Sequence, residues 1–599
     1  MIRVENLSYS FPEKDLYRNI SFHIEEGQHA ALIGSNGSGK TTLIDMIIHE
    51  DEYLYTGKIR KKEPLKTGYV SQYVVHDREL TSNVYDYLAQ DFRQMLQEQE
   101  AICLEMETAT DFEEIMERYQ ASLDAFTAVD GENYETNIHK QLKLAGLSQI
   151  EEVPVSRISG GEFKLIQIIR QMMRFPDLLI MDEPDVFLDF DNLAGLSHLI
   201  LSYPKTILVV THNRFLLNYC FDKILHLEDR DIQEFDGSYM DYQVALLSRK
   251  VEMQEGAARD QKEILRQQKV VERIRKEATY IDNSAKGRQL KARVSLLERL
   301  KEKAIKEPFV EVREPEIHLW MRQDEDLPGQ GEELSANPLK GGRILVEDYS
   351  LSFGETLLDR VSFEISPGDK VALVGPNGTG KTTLLHDIYE KLQVNLPSGE
   401  ENDMTPRVAY LSQIYQNFYD ESETLYQVFE RLGLEKAAEI EDYLSKYCFP
   451  PEMAGQRLKE LSGGERNLLA LAILGRMNTE ILLLDEPSSH LDLYAQEALE
   501  RAIREYPGTI LMVSHDFYTI ANCADYVLYV EDRQIRRMSG RAFRKMIYKR
   551  HFSSRYTEFE KEKKELEQRI QSDLRGKDYE KAREGCRKLA ALVDGAPDR

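Results

Sequence analysis

Gly34-Ser35-Asn36-Gly37-Ser38-Gly39-Lys40-Thr41-Thr42 fits G-x-x-x-x-G-K-[ST], and Gly375-Pro376-Asn377-Gly378-Thr379-Gly380-Lys381-Thr382-Thr383 fits it again. No other feature constrains the fold as much. Each copy follows an apolar run (Ala30 to Ile33; Val371 to Val374) and precedes a helix-like segment (Leu43 to Ile48; Leu384 to Tyr389). Glycines let backbone N–H groups wrap a triphosphate at a helix N-terminus, whose partial positive charge favours the anion. Lys40 and Lys381 then reach the outer phosphates, and the hydroxyls of Thr41 and Thr382 sit on magnesium. One match could be a plain strand-helix turn. Two matches in two similar halves argue for two nucleotide sites.

Length adds to this. At 599 residues the chain is expected to hold more than two domains. No apolar run reaches the ~18 to 20 residues that a membrane helix needs. Met1 to Asn6 reads as a first strand rather than a signal peptide. The five cysteines, Cys103, Cys220, Cys448, Cys523 and Cys586, are far apart and form no C-x-x-C pair. They read as packing residues in a soluble protein of the reducing cytoplasm. The net charge of -27 speaks against nucleic acid, but it is unevenly spread. From Arg249 to Glu307 there are 17 Lys/Arg against 10 Asp/Glu, which singles out that segment as a nucleic-acid contact.

The two halves share further landmarks in one order. In the first they are Gly68 to Gln72, Ser159-Gly160-Gly161-Glu162, Leu178 to Met181 followed by Asp182-Glu183-Pro184, and Ile207 to Val210 followed by Thr211-His212. In the second they are Tyr410 to Gln413, Ser462-Gly463-Gly464-Glu465, Ile481 to Leu484 with Asp485-Glu486-Pro487, and Ile510 to Val513 with Ser514-His515. Ser159 is a natural N-cap for the helix it opens. Carboxylates at a strand end are usually just solvated; their placement in both copies points to a site instead.

Phosphate loop, glutamine loop, S-G-G helix start, acidic strand end and histidine together resemble the ATP-binding cassette (ABC) ATPases, over about residues 1–240 and 342–540. The resemblance implies an α/β fold of two tandem P-loop domains that face each other head to tail and clamp two ATP between them. It further implies that Asp182 and Asp485 hold magnesium with Thr41 and Thr382, that Gln72 and Gln413 link the metal to the domain, and that Glu183 and Glu486 polarise the attacking water. His212 and His515 would contact the γ-phosphate. Ser159, Gly160 and Gly161 would cap the ATP of the second loop, and Ser462, Gly463 and Gly464 that of the first. Phe11 and Phe353 stand where the family stacks an aromatic on adenine, with a core aromatic as the alternative. Mg-ATP would hold the halves together and hydrolysis would release them.

Spacing separates the halves. Lys40 and Ser159 are 119 residues apart, Lys381 and Ser462 only 81. The extra length reads as a helical arm at about 86–146, from Tyr87 to Thr108 and Phe112 to Ala128, with 14 acidic and 4 basic residues. It suits a basic protein partner or a solvated surface. Residues 241–307 read as two long helices turning near Tyr280 to Ser284, with Lys286, Arg288, Lys291 and Arg293 as cations for RNA. A solvated coiled-coil linker is the alternative. Residues 308–341 read as a connector with a strand-like run from Glu316 to Met321, and 541–599 as a basic helical extension, either a second contact for the partner that the linker meets or a coiled coil against the body.

Two cassettes, the arm and the linker run Asn283 to Arg293 are similar to the ABC-F family of ribosome-binding translation factors, and the A-K-G-R-Q run resembles its energy-dependent translational throttle subgroup. That resemblance implies a partner 70S ribosome, with the linker entering the tRNA exit site beside 23S rRNA and P-site tRNA and the arm facing the L1 stalk. It implies a monomer whose cassettes dimerise within one chain, and no membrane partner. Translation regulation or rescue and antibiotic resistance by ribosomal protection are both open, with the ATPase subunit of a transporter as an alternative of another class. A DNA-repair ATPase is disfavoured by the missing zinc cysteines. One departure stands out: the second half reads Asp485-Glu486-Pro487-Ser488-Ser489-His490-Leu491-Asp492, close to the family's D-E-P-T-N-H-L-D, but the first reads Asp182-Glu183-Pro184-Asp185-Val186-Phe187-Leu188-Asp189. With Phe187 near the seam, equal turnover at the two sites is not expected.

Overall fold

The structure, a computed structural model, describes residues 1–11, 14–72, 81–106, 112–186, 188–280, 293–295, 314–319, 343–394, 408–412, 420–477, 479–551 and 554–595. Each half is built on a six-stranded sheet whose strands are short and apolar. Leu178–Asp182 and Thr206–Val210 are buried at every position, as expected of parallel strands covered on both faces. The first sheet runs in the order Thr67–Val70, Leu178–Asp182, Thr206–Val210, His29–Ile33, Lys223–Glu228, Asp231–Asp236. The second repeats it as Val408–Tyr410, Ile481–Asp485, Thr509–Val513, Lys370–Val374, Tyr526–Glu531, Gln534–Ser539. In both, the first five strands are parallel and the last is antiparallel.

Register explains why the landmarks converge. Val210 pairs with both Leu32 and Asp182, and Val513 pairs with both Leu373 and Asp485. The phosphate loop, the carboxylate pair and the histidine therefore leave one edge of each sheet together, at the carboxyl ends of the strands where open α/β sheets bind ligands. An antiparallel layer adds to each core: Ile2–Phe11, Lys14–Ile24 and Thr56–Lys61 in the first half, Ile344–Phe353 and Glu355–Ile365 in the second.

The arm region holds helices Val84–Met106 and Phe112–Ala128. They run antiparallel, since Gln99 donates to the Ser122 carbonyl and Arg118 pairs with Glu105. A further helix, Tyr134–Leu144, follows. Of the run from Glu316 to Met321, where a strand was expected, the described residues 316–319 are irregular; the Glu316 N–H donates to the Lys446 carbonyl at the C-terminus of the helix Ala437–Lys446 at 2.6 Å, and Ile317 is buried. Trp320, Met321 and the rest of that connector up to 342 lie outside the described residues.

Compactness groups the chain differently from the linear domain reading. One unit, Met1–Asp236 with Glu314–Ile547, holds both sheets; a second comprises Gly237–Arg313 and Tyr548–Arg599. In the second, the helix Tyr239–Tyr280 packs against Tyr579–Asp594, which packs against Ser554–Arg575. Arg583 pairs with Glu255 and Lys563 donates to the Gln243 amide oxygen. The C-terminal extension thus covers the start of the linker helix. The expected hairpin turn at Ile281 to Ser284 lies outside the described residues. Among the described residues no helix is long and apolar enough to cross a membrane. Cys220, Cys523 and Cys586 are buried, but Cys103 and Cys448 are exposed and so are not packing residues.

Candidate active site

In the first pocket the Lys40 ammonium is buried and donates to the carbonyls of Gly34 and Ser35 at 3.0 and 2.9 Å. Gly34 has no room for a side chain: a Cβ there would stand 2.1 Å from the Leu227 carbonyl oxygen. Ser35 is tied down twice, through its N–H at 3.0 Å and its hydroxyl at 2.7 Å, to the Glu228 carboxylate. Tyr17 donates to the Gly39 carbonyl at 2.5 Å, and Thr41 hydrogen-bonds Asp182. The second pocket repeats the core of this. Lys381 donates to Gly375 and Pro376 at 2.9 and 2.8 Å, and the Thr382 hydroxyl lies 3.3 Å from Asp485.

Each loop also meets the other half. The Asn36 N–H donates to Asp492 at 3.0 Å and its side-chain amide to the His490 carbonyl at 2.8 Å. Reciprocally, the Asn377 N–H donates to Asp189 at 3.1 Å. The helices Gly160–Met173 and Gly463–Leu474 both begin in a capping box, Ser159 with Glu162 and Ser462 with Glu465, which fixes their N-termini. The first of these termini faces the second phosphate loop: Ser159, Gly160 and Gly161 line one cavity of about 690 Å³ with Lys381, Thr382, Asp485, Glu486 and His515. That volume lies within the usual range for a small-molecule site. The second terminus meets the first loop, with Gly464 against Asn36.

Both Glu183 and Glu486 occupy left-handed backbone, φ 44° and 46°, a conformation that costs free energy and clusters at functional positions. Their surroundings differ. Gln72 donates its amide to Glu183 Oε2 at 2.5 Å, and His490 Nδ1 lies 3.5 Å from the same oxygen. Burial pushes the Glu183 carboxyl up, but the hydrogen bond from His490 and the nearby Lys40 outweigh it and hold the group below its usual range. Glu486 accepts the His515 N–H at 3.2 Å, and burial pushes its carboxyl up to about 8. Burial lowers His212 to about 3 and His515 to about 4, so both imidazoles are neutral. Both ring nitrogens of His212, and Nδ1 of His515, are buried without a partner among the described residues. Such orphaned atoms fit a site built for an added polar group.

Phe11 and Phe353 are 45% and 67% exposed, which removes the core alternative for both; Phe353 lines the second pocket. Gln413, Phe187, Lys286, Arg288 and Lys291 lie outside the described residues. Arg293 is described and donates to the Gln267 side chain at 3.2 Å. Several residues that shape the site escaped the sequence reading. Asp189 and Asp492 sit at the same offset after the two carboxylate pairs, a signal that was available. Lys164 is buried, and its ammonium bonds the Ser71 and Gln72 carbonyls at 2.6 and 2.9 Å. Arg214 crosses the seam to Glu500 and to Asp516, the latter at 3.0 Å, and stacks on Tyr518. Their counterparts are Asn467 and Phe517, so duplication gave no hint of either.

Comparison with known proteins gives one family. A profile described as ABC transporter matches residues 17–186 and 358–489, and a second with the same description matches 225–319. The ATP-binding protein Uup of Haemophilus influenzae is 30% identical over 542 residues, covering 88% of this chain and 78% of Uup. Two Bacillus subtilis proteins, the uncharacterized ABC transporter ATP-binding proteins YfmR and YfmM, are 28% and 27% identical over 89% and 86% of this chain and 81% and 96% of their own lengths. Among solved structures, a model of ribosome-bound archaeal Pelota and ABCE1 matches with a TM-score of 0.51 at 17% identity, over 91% of this chain and 80% of that one. The last shows likeness of fold alone.

Proposed function

This chain belongs to the ABC-F branch of the ATP-binding cassette family and is an ATPase; from that premise we propose that it binds the ribosome, closes on two ATP, and reopens on hydrolysis. The single observation that carries this reading is the reciprocal seam, in which Asn36 meets Asp492 and Asn377 meets Asp189. Pockets built from both halves make ATP binding and closure one event. In the Lys40 pocket, Glu183 polarises water and His212 faces the γ-phosphate; in the Lys381 pocket, Glu486 and His515 do so. Thr41 with Asp182 and Thr382 with Asp485 fit magnesium, joined by Gln72 and Gln413; when bound, the ion supplies neutralisation of phosphate charge. Phe11 and Phe353, both exposed, and Phe353 lining the Lys381 cavity, are assigned to adenine.

The linker is the output. The helix Tyr239–Tyr280 is 42 residues long and strongly polar, a rod rather than a core element, and the cations Lys286, Arg288, Lys291 and Arg293 follow it. We assign these to RNA at the tRNA exit site beside the P-site tRNA, and the acidic arm to a basic ribosomal partner. The cytoplasm is where such a partner is found. The test is the double variant Glu183→Gln, Glu486→Gln, sedimented with 70S ribosomes in ATP. Stable co-sedimentation and growth arrest are expected; a double variant that remains in the supernatant in ATP refutes the proposal. A susceptibility panel on cells expressing the native chain separates regulation from drug protection.

A further inference from the structure

The first phosphate loop is braced at both ends by side chains of its own cassette. At its entry, Glu228, the last residue of the strand Lys223–Glu228, accepts the Ser35 N–H at 3.0 Å and the Ser35 hydroxyl at 2.7 Å. Glu228 is backed in turn by the buried His226, whose Nε2 stands 3.7 Å from the carboxylate. At its exit, the buried Tyr17 donates to the Gly39 carbonyl at 2.5 Å and hydrogen-bonds the Thr42 hydroxyl. The phenol stands hard against that turn, since a Cβ on Gly39 would lie 2.8 Å from its oxygen. None of these bonds uses an N–H of Gly39, Lys40 or Thr41, the groups that the helix N-terminus offers to a phosphate.

The second loop has the same motif without the braces. Pro376 stands in place of Ser35 and has neither an N–H nor a hydroxyl. Glu531, which ends the matching strand Tyr526–Glu531, pairs with Arg536 at 3.1 Å instead. Tyr17 faces Tyr9 across its strand pair, and at the same register Leu358 faces Leu351. Leu358 is fully buried, and a Cβ on Gly380 would stand 2.5 Å from Leu351 Cδ2. Aliphatic packing fills that space, but leucine has nothing to donate to the Gly380 carbonyl.

We infer that Tyr17 and Glu228 are positioning residues that hold the first phosphate loop in its phosphate-wrapping shape, so that the Lys40 pocket takes up and keeps nucleotide at lower concentrations than the Lys381 pocket. A loop that must be ordered on binding spends part of the interaction on its own ordering; one fixed beforehand does not. The braces act on the loop and not on Glu183, so the effect falls on binding rather than on the chemical step. The inference rests on the assignment of both loops to ATP.

The experiment measures the first turnover of Mg-ATP by the full chain over a range of ATP concentrations. In a Glu486→Gln background the burst of phosphate reports the Lys40 pocket; in a Glu183→Gln background it reports the Lys381 pocket. With no further change, the Lys40 burst is expected to half-saturate at the lower ATP concentration. Tyr17→Phe deletes one hydroxyl and keeps the ring. It should raise the half-saturating ATP of the Lys40 burst about threefold to tenfold, the scale of one hydrogen bond, while the maximal burst rate and the half-saturation of the Lys381 burst stay as they were. Glu228→Ala should act in the same direction from the other end of the loop, and Glu228→Gln, which keeps an acceptor for Ser35, should recover most of the loss. A merely structural role would lower the maximal rate or the thermal midpoint and leave half-saturation alone. That outcome, an equal rise in both pockets, or a Lys381 burst that saturates first would overturn the inference. If Lys40→Ala leaves the Lys40 burst intact, the assignment of that loop to ATP fails instead, which keeps the two outcomes apart.

Discussion

The two nucleotide pockets share strand order, register, loop and capping, and they differ in what surrounds one carboxylate. Glu183 sits among Gln72, His490 and Lys40, and against the push of burial the contact with His490 and the charge of Lys40 hold its carboxyl below the usual range. Glu486 is buried against the His515 N–H and a ring nitrogen 3.6 Å away, and its carboxyl is pushed up to about 8. The backbone that delivers the two groups is nearly the same, φ 44° and 46°. A duplicated fold thus fixes where an acid stands, while burial and a few neighbouring residues, only one of them, His490, from across the seam, set its charge. On the proposed assignment of Glu183 and Glu486 to the attacking water, the carboxyl of the Lys40 pocket is the one held below its usual range and that of the Lys381 pocket the one held above it.

The largest effect should come from removing the carboxylates one at a time. Loss of a general base costs roughly 10²- to 10⁴-fold. Glu183→Gln should lower steady turnover by more than Glu486→Gln, measured as phosphate release at saturating ATP. Equal losses would break the contrast between the pockets, and a greater loss with Glu486→Gln would reverse it.

Arg214 is next. It lies two residues after His212, its side chain is 10% exposed, and it meets Glu500 and Asp516, the residue that follows His515. Deleting one partner of a buried ion pair strands the others and costs about 3 to 5 kcal/mol. Arg214→Ala should lower the urea midpoint of the full chain accordingly and slow both pockets. A variant with an unchanged midpoint would mean that this cluster does not join the two histidine loops. Gly464→Ala is expected to act more locally: its new Cβ would collide with Asn36 and the His490 carbonyl, so the Lys40 pocket should lose about tenfold to hundredfold in first-turnover rate while the Lys381 pocket keeps its own.

Much of this was legible in the sequence, for definable reasons. The phosphate loops, the S-G-G helix starts and the carboxylate pairs are chemistry written in consecutive residues, and the order of five landmarks gave both cassettes. The arm could be read because extra length falls between two recognisable motifs. What could not be read depends on which residues meet across hundreds of positions. His490 is visible as a letter in Ser489-His490-Leu491, but nothing local says that it faces Glu183. Lys164 and Arg214 were overlooked because neither repeats in the second half. The packing of Tyr579–Asp594 on the linker helix was likewise hidden, since amphipathic charged helices carry little information about their partner.

The smallest effect tests the arm, the other region in which the halves differ. Asp91, on the arm helix Val84–Met106, accepts from Arg170 and Arg174 at the far end of the signature helix Gly160–Met173, whose N-terminus lines the Lys381 pocket. Burial pushes the Asp91 carboxyl up, but the two guanidinium groups outweigh it and hold it below its usual value. A carboxylate whose value is lowered on folding stabilises above its unfolded value of roughly 3.9, and that contribution disappears as the pH falls through the lower, folded value. With Asp91 19% and Arg174 46% exposed, solvent screening limits it to about 1 kcal/mol. Asp91→Asn should therefore lower the thermal midpoint slightly at pH 7 and leave it unchanged relative to the native chain at the acid end, where both lack the charge. It should also touch the Lys381 pocket more than the Lys40 pocket, because the N-terminus of the helix it anchors stands against the Lys381 loop. If the variant slows the Lys40 burst instead, the arm acts through Lys164 and the Gln72 loop, and the two pockets are coupled within the first cassette as well as across the seam.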